Sequence, residues 1–378
     1  MTKKIGIVTV LRSYNYGARL QGYAMCMLFQ DMGFDAELVN LSYPKRYVKY
    51  CVGRVISPSA SFKEWLLKYP VSARMMRFTR QKIKKSPLLV TGSTNKMVQF
   101  VNKQHYDAVV CGSDEIWRST NREFAPPSIY FLPPEIQAKR LAFAPSANGT
   151  HIFSEKEREW VNNSLSGFSD ICVRDTMTQR KIEDLTGISY RMVFDPTLAV
   201  DFPETALPKC LDKSKKKKIC FIFGRPDNGL PRHLAEQLQH EDYELYSIFT
   251  CVRGTKFLPV SPEQFACVFQ KFDLVFTNFF HGVIFSLKNG TPAFGIDTFE
   301  KYTDAKSKVE DLLERLGFSD LFYSFVGTSP EAAEQDLIKA AKEILSGQKK
   351  YDFSQSLAAA RTAVEDNMKI AGTIINED

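Results

Sequence analysis

Ile5-Gly6-Ile7-Val8-Thr9-Val10 is a short apolar run that gives way to the polar, glycine-containing Arg12-Ser13-Tyr14-Asn15-Tyr16-Gly17 and then to an apolar-periodic stretch from Leu20 to Met32. That succession reads as strand, loop and helix. Gly33 is placed to end the helix and Ala36 to Leu41 supplies a second strand, so the opening forms a βαβ unit of a parallel sheet.

Further strands are predicted at Ala108 to Cys111, Arg140 to Ala144, Asp170 to Val173 and Arg191 to Phe194, with Glu155 to Leu165 and Thr176 to Leu185 as the clearest helices between them. Pro203 to Lys218 holds two prolines and the run Lys215 to Lys218, which suits a surface connection. A second alternation follows, with strands at Ile219 to Phe223, Glu244 to Phe249, Leu274 to Thr277 and Pro292 to Ile296. Helices are expected near Arg232 to Gln239, Pro262 to Val268, Gly282 to Lys288 and Ser307 to Leu316. The expected fold is α/β: two Rossmann-like domains, residues 1–205 and 206–328, whose parallel sheets face a central cleft where ligands of such folds sit. In residues 329–378 a helix from Pro330 to Leu345 is expected to pack back across the junction, and Glu365 to Asp378 reads as a loosely held tail.

The length of 378 residues fits two domains, each with its own core. The formal charge of +7 is uneven: Lys45 to Lys85 holds twelve Lys or Arg against Glu64 alone, so that stretch carries +11 and the rest −4. It reads as an insertion of one or two amphipathic helices, Phe62 to Tyr69 and Ala73 to Lys84, broken at Pro70. Such a patch attracts a nucleic acid, an anionic bilayer or a phosphorylated substrate, and charge does not choose among them. The run lacks zinc-finger spacing and an RNA-recognition motif, so no nucleic-acid partner is expected. Eight cysteines without a paired C-x-x-C spacing point to buried free thiols in a reducing compartment rather than to a zinc site. Met1 to Lys4 leads straight into the first strand, which leaves no room for a signal peptide, and no apolar run reaches the roughly 20 residues of a membrane span.

Five segments place polar groups just after strands. Arg12 to Arg19 feeds a helix N-terminus, a ready anion site in which Gly17 allows close backbone approach, but it lacks the G-x-G-x-x-G dinucleotide fingerprint. In Cys111-Gly112-Ser113-Asp114-Glu115-Ile116-Trp117-Arg118, Asp114 suits either a cap on the next helix or a contact to a sugar hydroxyl. Ala144-Pro145-Ser146-Ala147-Asn148-Gly149 is a small-residue loop open to a ligand or simply a tight turn. In Val173-Arg174-Asp175 the guanidinium matches a carboxylate or phosphate, or else pairs with Asp175 or Asp195. The strongest signal is Thr277-Asn278-Phe279-Phe280-His281-Gly282, where a histidine near a helix start can donate a proton, accept one or hold a phosphate. His105, His151, His233 and His240 carry no such signal.

Taken together, these segments resemble the polysaccharide pyruvyl transferase family from Ile5 to about Gly317. The shared elements are Asn15-Tyr16-Gly17-Ala18, Leu20-Gln21-Gly22-Tyr23-Ala24, Gly112-Ser113-Asp114-Glu115-Ile116-Trp117, Val173-Arg174-Asp175 and Asp195-Pro196-Thr197-Leu198. Each is short, and their common order is what is specific. Where many relatives read Thr-Asp-Ser-Phe-His-Gly, this chain replaces the carboxylate by Asn278 and the hydroxyl by Phe279, so a contact made there must differ.

The resemblance implies a GT-B-like architecture and a cytoplasmic enzyme, possessing no cofactor, that ketalises two hydroxyls of a sugar with pyruvate from phosphoenolpyruvate. The implied acceptor is a sugar or lipid-linked oligosaccharide of a cell-surface or exopolysaccharide precursor, with residues 45–85 against an anionic membrane or holding a pyrophosphate. His281 is then the acid or phosphate-side donor, Asp114 the acceptor-side base, and Arg174 and Arg19 the anion clamps. Asn15, Ser146 and Asn278 position substrate, Tyr16, Gly17, Gly112, Ser113, Asp175, Thr277 and Gly282 line the site, and Arg225 reaches in from the second domain. No metal is implied. Two other classes fit the same segments: glycosyl transfer from a nucleotide sugar, and carbohydrate or anion binding without turnover.

Overall fold

In the computed structural model, residues 2–51, 62–119, 123–147, 153–224, 229–239, 241–297, 306–325 and 330–377 are described. The first half carries strands β1 (Lys4–Val8), β2 (Asp35–Leu38), β3 (Leu41–Ser42), β4 (Leu89–Val90), β5 (Ala108–Asp114), β6 (Lys139–Pro145), β7 (Asp170–Val173) and β8 (Arg191–Met192). Six of them form one parallel sheet in the order β2-β1-β5-β6-β7-β8, while β3 and β4 pair separately. The second half carries β9 (Lys217–Ile222), β10 (Tyr243–Ile248), β11 (Lys256–Phe257), β12 (Leu274–Thr277), β13 (Ala293–Asp297) and β14 (Phe322–Ser324), parallel in the order β11-β10-β9-β12-β13-β14. Helices on both faces bury these strands on two sides, which is why they read as unbroken apolar runs rather than alternating ones.

Both sheets reverse direction next to their first strand, between β1 and β5 and between β9 and β12. A crevice opens beyond the carboxyl ends of the strands at such a point, and that is where ligands of these folds bind. The helices around the sheets are α1 (Tyr16–Asp31), α2 (Pro44–Cys51), α3 (Phe62–Gln81), α4 (Thr94–Asn102), α5 (Glu155–Leu165), α6 (Thr176–Thr186), α7 (Leu230–Leu238), α8 (Pro262–Cys267), α9 (Phe280–Lys288), α10 (Lys308–Arg315), α11 (Pro330–Ser346) and α12 (Ser354–Asn376). Local chemistry starts several of them: Asn15 and Asp175 accept backbone N–H groups of α1 and α6, and Ser154 with Glu157 forms a capping box on α5.

The halves share apolar core. Tyr16 of α1 stacks on Phe265 of α8 with ring centroids 4.4 Å apart and donates its hydroxyl to the Val260 carbonyl at 3.1 Å. Lys288 of α9 donates to the carbonyls of Thr197 and Val200 at 2.6 and 2.7 Å, and burial brings its ammonium down to about 8. Arg315 of α10 donates to the Arg174 carbonyl at 2.8 Å.

Five sequence expectations are corrected. Pro70 does not break the insertion into two helices: α3 runs through it, because Met75, Phe78 and Thr79 further along are buried and hold the helix in place. No helix starts at Asp114; β5 extends to that residue, so Asp114 is not a helix cap. The C-terminal tail is not loose, because α12 buries Val364, Met368, Ala371 and Ile375 against the first-half core. It is α12 that crosses back, whereas α11 packs on β12 and β14. No cysteine forms a disulfide, but not all are buried: Cys51 and Cys210 are exposed.

Among the described residues no helix is long and apolar enough to cross a membrane.

Candidate active site

Asp195 follows β8 and is completely buried. Its Oδ1 accepts the Thr197 N–H and hydroxyl at 3.0 and 2.7 Å, which turns the chain into a short 3-10 segment and fixes the carboxylate. Its Oδ2 accepts from Arg174 Nη1 and from Ser113 Oγ, both at 3.2 Å, and lies 3.5 Å from His281 Nε2. Strands β5 and β7 thus deliver Ser113 and Arg174 from one sheet, and the start of α9 delivers His281 from the other. Burial alone would raise the Asp195 carboxyl, but His281, Arg174 and Thr197 outweigh it and hold it well below the usual carboxylate range. Arg174, also buried, lies over the Phe280 ring at 4.6 Å.

His281 packs against the first turn of α1, where a side chain on Gly17 would overlap the imidazole. Asn15 holds that turn open, its Oδ1 accepting the Gly17 N–H at 2.8 Å. At Gly282 a Cβ would meet the Thr277 side chain, so that position is also tight. Thr277 donates to the Ile222 carbonyl at 2.9 Å, and Asn278 Oδ1 accepts the Gly224 N–H at 2.8 Å, so this pair ties β12 to the end of β9. A carboxylate at 278 would accept that N–H equally well. Phe279 packs edge-on to Phe249 at 4.7 Å and, with Asn15, Gly17 and His281, lines a narrow cavity between the halves. It offers α9 no side-chain cap.

Among the described residues four buried atoms around this centre make no hydrogen bond: Ser146 Oγ; Arg174 Nε and Asp175 Oδ2, which face each other as an ion pair at 4.0 Å; and His281 Nε2, which faces Asp195. Each such atom costs about 1–3 kcal/mol when left alone, so the cluster suits a polar ligand. The backbone is strained at the same edge, with Asp114 at φ +104° and Ala144 at φ +56° ending the neighbouring strands β5 and β6. Among the described residues no group of three or more His, Cys, Asp or Glu side chains could hold a metal ion.

The family model of polysaccharide pyruvyl transferases matches residues 15–298, a span that holds every residue of this cluster. The chain belongs to that family. Comparison with curated proteins found no match. Among solved structures, a putative UDP-N-acetylglucosamine 2-epimerase from Listeria monocytogenes is similar over all of this chain and 98% of its own, at 10% identity and a TM-score of 0.58. The glycosyltransferase SnogD from Streptomyces nogalater is similar over 100% of both chains, at 10% identity and a TM-score of 0.52. A UDP-GlcNAc 2-epimerase from Neisseria meningitidis, bound to UDP-GlcNAc, also matches over 100% of both chains, at 7% identity and a TM-score of 0.51. Identities this low show the fold alone, two Rossmann-like domains of the GT-B kind.

Within this pyruvyl transferase fold, the sequence-chosen residues fall into three groups. Asn15, Gly17, Ser113, Ser146, Arg174, Asp175, Thr277, Asn278, His281 and Gly282 converge on the junction, and Asp114 ends β5 beside Ser146, accepting its N–H on the backbone at 2.9 Å. Gly112 sits in β5 itself at φ +133°, where a side chain would meet the Phe143 carbonyl. Tyr16 spends its hydroxyl on Val260 and closes the junction. Arg19 turns away from the centre toward α3, with Nε on Met75 Sδ at 3.1 Å and Nη1 on Thr79. Arg225, Asn148 and Gly149 lie outside the described residues. Sequence reasoning offered Asp195 only as a pairing partner for Arg174, which it is, and did not anticipate its contact with His281 across the junction.

Proposed function

We propose that this pyruvyl transferase moves the pyruvyl group of phosphoenolpyruvate onto two hydroxyls of one sugar, forming a cyclic ketal and releasing phosphate. The observation that carries the reading is the joining of His281 and Arg174, from opposite halves, through the single carboxylate of Asp195. Phosphoenolpyruvate has two anionic ends. Arg174 and the uncapped N–H groups opening α9 supply the fixed positive charge that they require.

His281 gives a proton to the methylene carbon, which becomes the methyl group, and the cation-like C2 is attacked by the first hydroxyl. Asp114 takes that hydroxyl's proton and returns it to the phosphate as the C2–O bond to phosphate breaks. The second hydroxyl then attacks C2, and its proton restores His281. Asp195 stays ionised throughout, holding the imidazole in place and balancing its charge. Family membership suggests a cell-surface or exopolysaccharide precursor as the acceptor, and we infer that the reaction takes place in the cytoplasm.

The test is calorimetric titration of phosphoenolpyruvate into the purified protein, with uridine and guanosine diphosphates, phosphate and pyruvate as controls, repeated on His281→Ala. Selective binding of phosphoenolpyruvate that weakens about tenfold or more in the variant supports the donor assignment. Nucleotide diphosphate binding without it overturns the reading in favour of glycosyl transfer.

A further inference from the structure

Helix α2 has no buried residue along its whole length. A helix of eight residues is not stable in water on its own, and among the described residues α2 is held to the rest of the chain only by surface contacts such as Arg46 to Glu123 and Tyr14 to the Tyr50 carbonyl. Seven of the ten large apolar side chains that are exposed among the described residues fall between Val48 and Val90, a stretch of 43 residues in a chain of 378. They include Val48 on α2, Leu66, Leu67, Tyr69 and Met76 on α3, and Leu88 beyond it. Single exposed apolar residues need no explanation, but a concentration of them does.

The charge of this segment has one sign. Its described side chains from Lys45 to Lys85 include ten Lys or Arg and no Asp or Glu, and although Arg46 pairs with Glu123 and Lys84 with Asp35, the rest exceed what these offset. Between α2 and α3 runs an open groove lined by Tyr47, Tyr50, Met76 and Leu88, with Arg77 and Arg80 along it. Behind it Arg12 lies over the rings of Tyr47 and Tyr50 at 5.6 and 5.8 Å, and Arg19 lies over Tyr50 at 5.5 Å. Arg12 hydrogen-bonds to Asn40 Oδ1 at 2.6 Å, and Arg19 Nη2 is buried and makes no hydrogen bond among the described residues. Burial lowers both guanidinium groups, and tyrosine and cysteine side chains, rather than carboxylates, are the groups that counter it.

We propose that the α2–α3 face docks on an anionic lipid bilayer, with the exposed leucines, valine and methionine entering the interface and the basic groove taking lipid phosphates. Helices with basic and apolar side chains bind membranes by this combination of buried area and charge. A nucleic acid satisfies the charge but not the apolar side chains. A free phosphate likewise leaves the apolar side chains in water. A second copy of the chain would set one basic face against another. The groove adjoins the candidate active site through the β1–α1 loop, where Tyr14 donates its hydroxyl to the Tyr50 carbonyl at 2.9 Å, so docking here would bring the Asn15 side of the cleft toward the lipid surface.

Co-sedimentation of the full chain with phosphatidylcholine vesicles, with and without phosphatidylglycerol, tests this without reference to pyruvyl transfer. Binding is expected only to the anionic vesicles and should fall with salt. Arg77→Gln and Arg80→Gln should each weaken it about fivefold, since each basic residue near such a surface contributes about 1 kcal/mol. Leu66→Ser with Leu67→Ser should weaken it further while leaving circular dichroism and the melting temperature unchanged, because both side chains already stand in water. Equal binding to neutral vesicles, indifference to the leucine variant, or release by millimolar inorganic pyrophosphate would each overturn the proposal. So would light scattering that shows a dimer lost in the same variants.

Discussion

His281 packs its imidazole directly onto the bare Cα of Gly17, so that the first turn of α9 and the first turn of α1 meet at a point where no side chain fits between them. This contact sets the distance between the two halves at the site. Gly17→Ala would push the ring off Asp195 or part the helices. Overpacking of this kind costs about 1–3 kcal/mol. The expected outcome is a lower melting temperature together with phosphoenolpyruvate binding weakened about tenfold by calorimetry. Unchanged binding with unchanged stability would show that the halves tolerate a wider spacing.

Asp195 joins more groups than any other side chain of the site, and its removal should be costly. Asp195→Asn leaves the buried Arg174 facing an amide, and breaking a buried pair on one side costs about 3–5 kcal/mol. The pH dependence follows from the depressed carboxyl. Such a group contributes its stability in full above the unfolded carboxylate value of about 4 and loses it as pH falls toward its lower folded value. Urea midpoints measured from about pH 6 to about pH 3 should therefore fall more steeply in the wild type than in Asp195→Asn. Glu115, held low by Lys308 and Arg118 against burial, has the same sign and remains in both proteins, so the variant's curve should be flatter but not flat.

Much of this architecture was legible in the sequence because parallel strands covered on both faces leave unbroken apolar runs, as at Ala108 to Cys111 and Leu274 to Thr277. The polar groups just after those runs, Arg174 and His281 among them, could be located for the same reason. Asp195 could be located too, but not weighted: its partners lie 21, 82 and 86 positions away, and nothing local reports a contact across the junction. Arg19 misled in the opposite sense. It stands in the first turn of α1 beside the site, yet the face it occupies is set by the helical rotation, and that face meets α3. The apolar face of α12 was hidden because Ala360, Ala371 and Gly372 contribute little hydrophobicity while making the close approach that buries them.

Tyr16 offers a separation of roles. Its hydroxyl bonds to Val260 and its ring stacks on Phe265, so Tyr16→Phe removes one interdomain hydrogen bond and keeps the stack. The expected cost is about 1 kcal/mol in stability, with phosphoenolpyruvate affinity retained. A large loss of affinity without loss of stability would return the hydroxyl to the substrate.

The last test concerns α12. Its Ala360 and neighbouring Leu357 pack with the second-half core, while Val364, Met368, Ala371 and Ile375 pack with the first, and Arg361 pairs with Asp201 at 2.9 Å. The far end is tied down as well, with Lys3 donating to the Ile375 carbonyl at 2.7 Å. Val364, Met368 and Ile375 alone contribute about 2 kcal/mol each on burial, a sum comparable to the whole stability of about 5–15 kcal/mol of an ordinary domain. A chain ending at Phe353 should therefore melt well below the full-length protein, or fail to remain soluble. It should also lose phosphoenolpyruvate binding, because the short 3-10 segment after Asp195 packs on α12 and would no longer be held. Full-length melting behaviour in the truncated chain would mean that the interface around Tyr16, Lys288 and Arg315 holds the two halves together unaided.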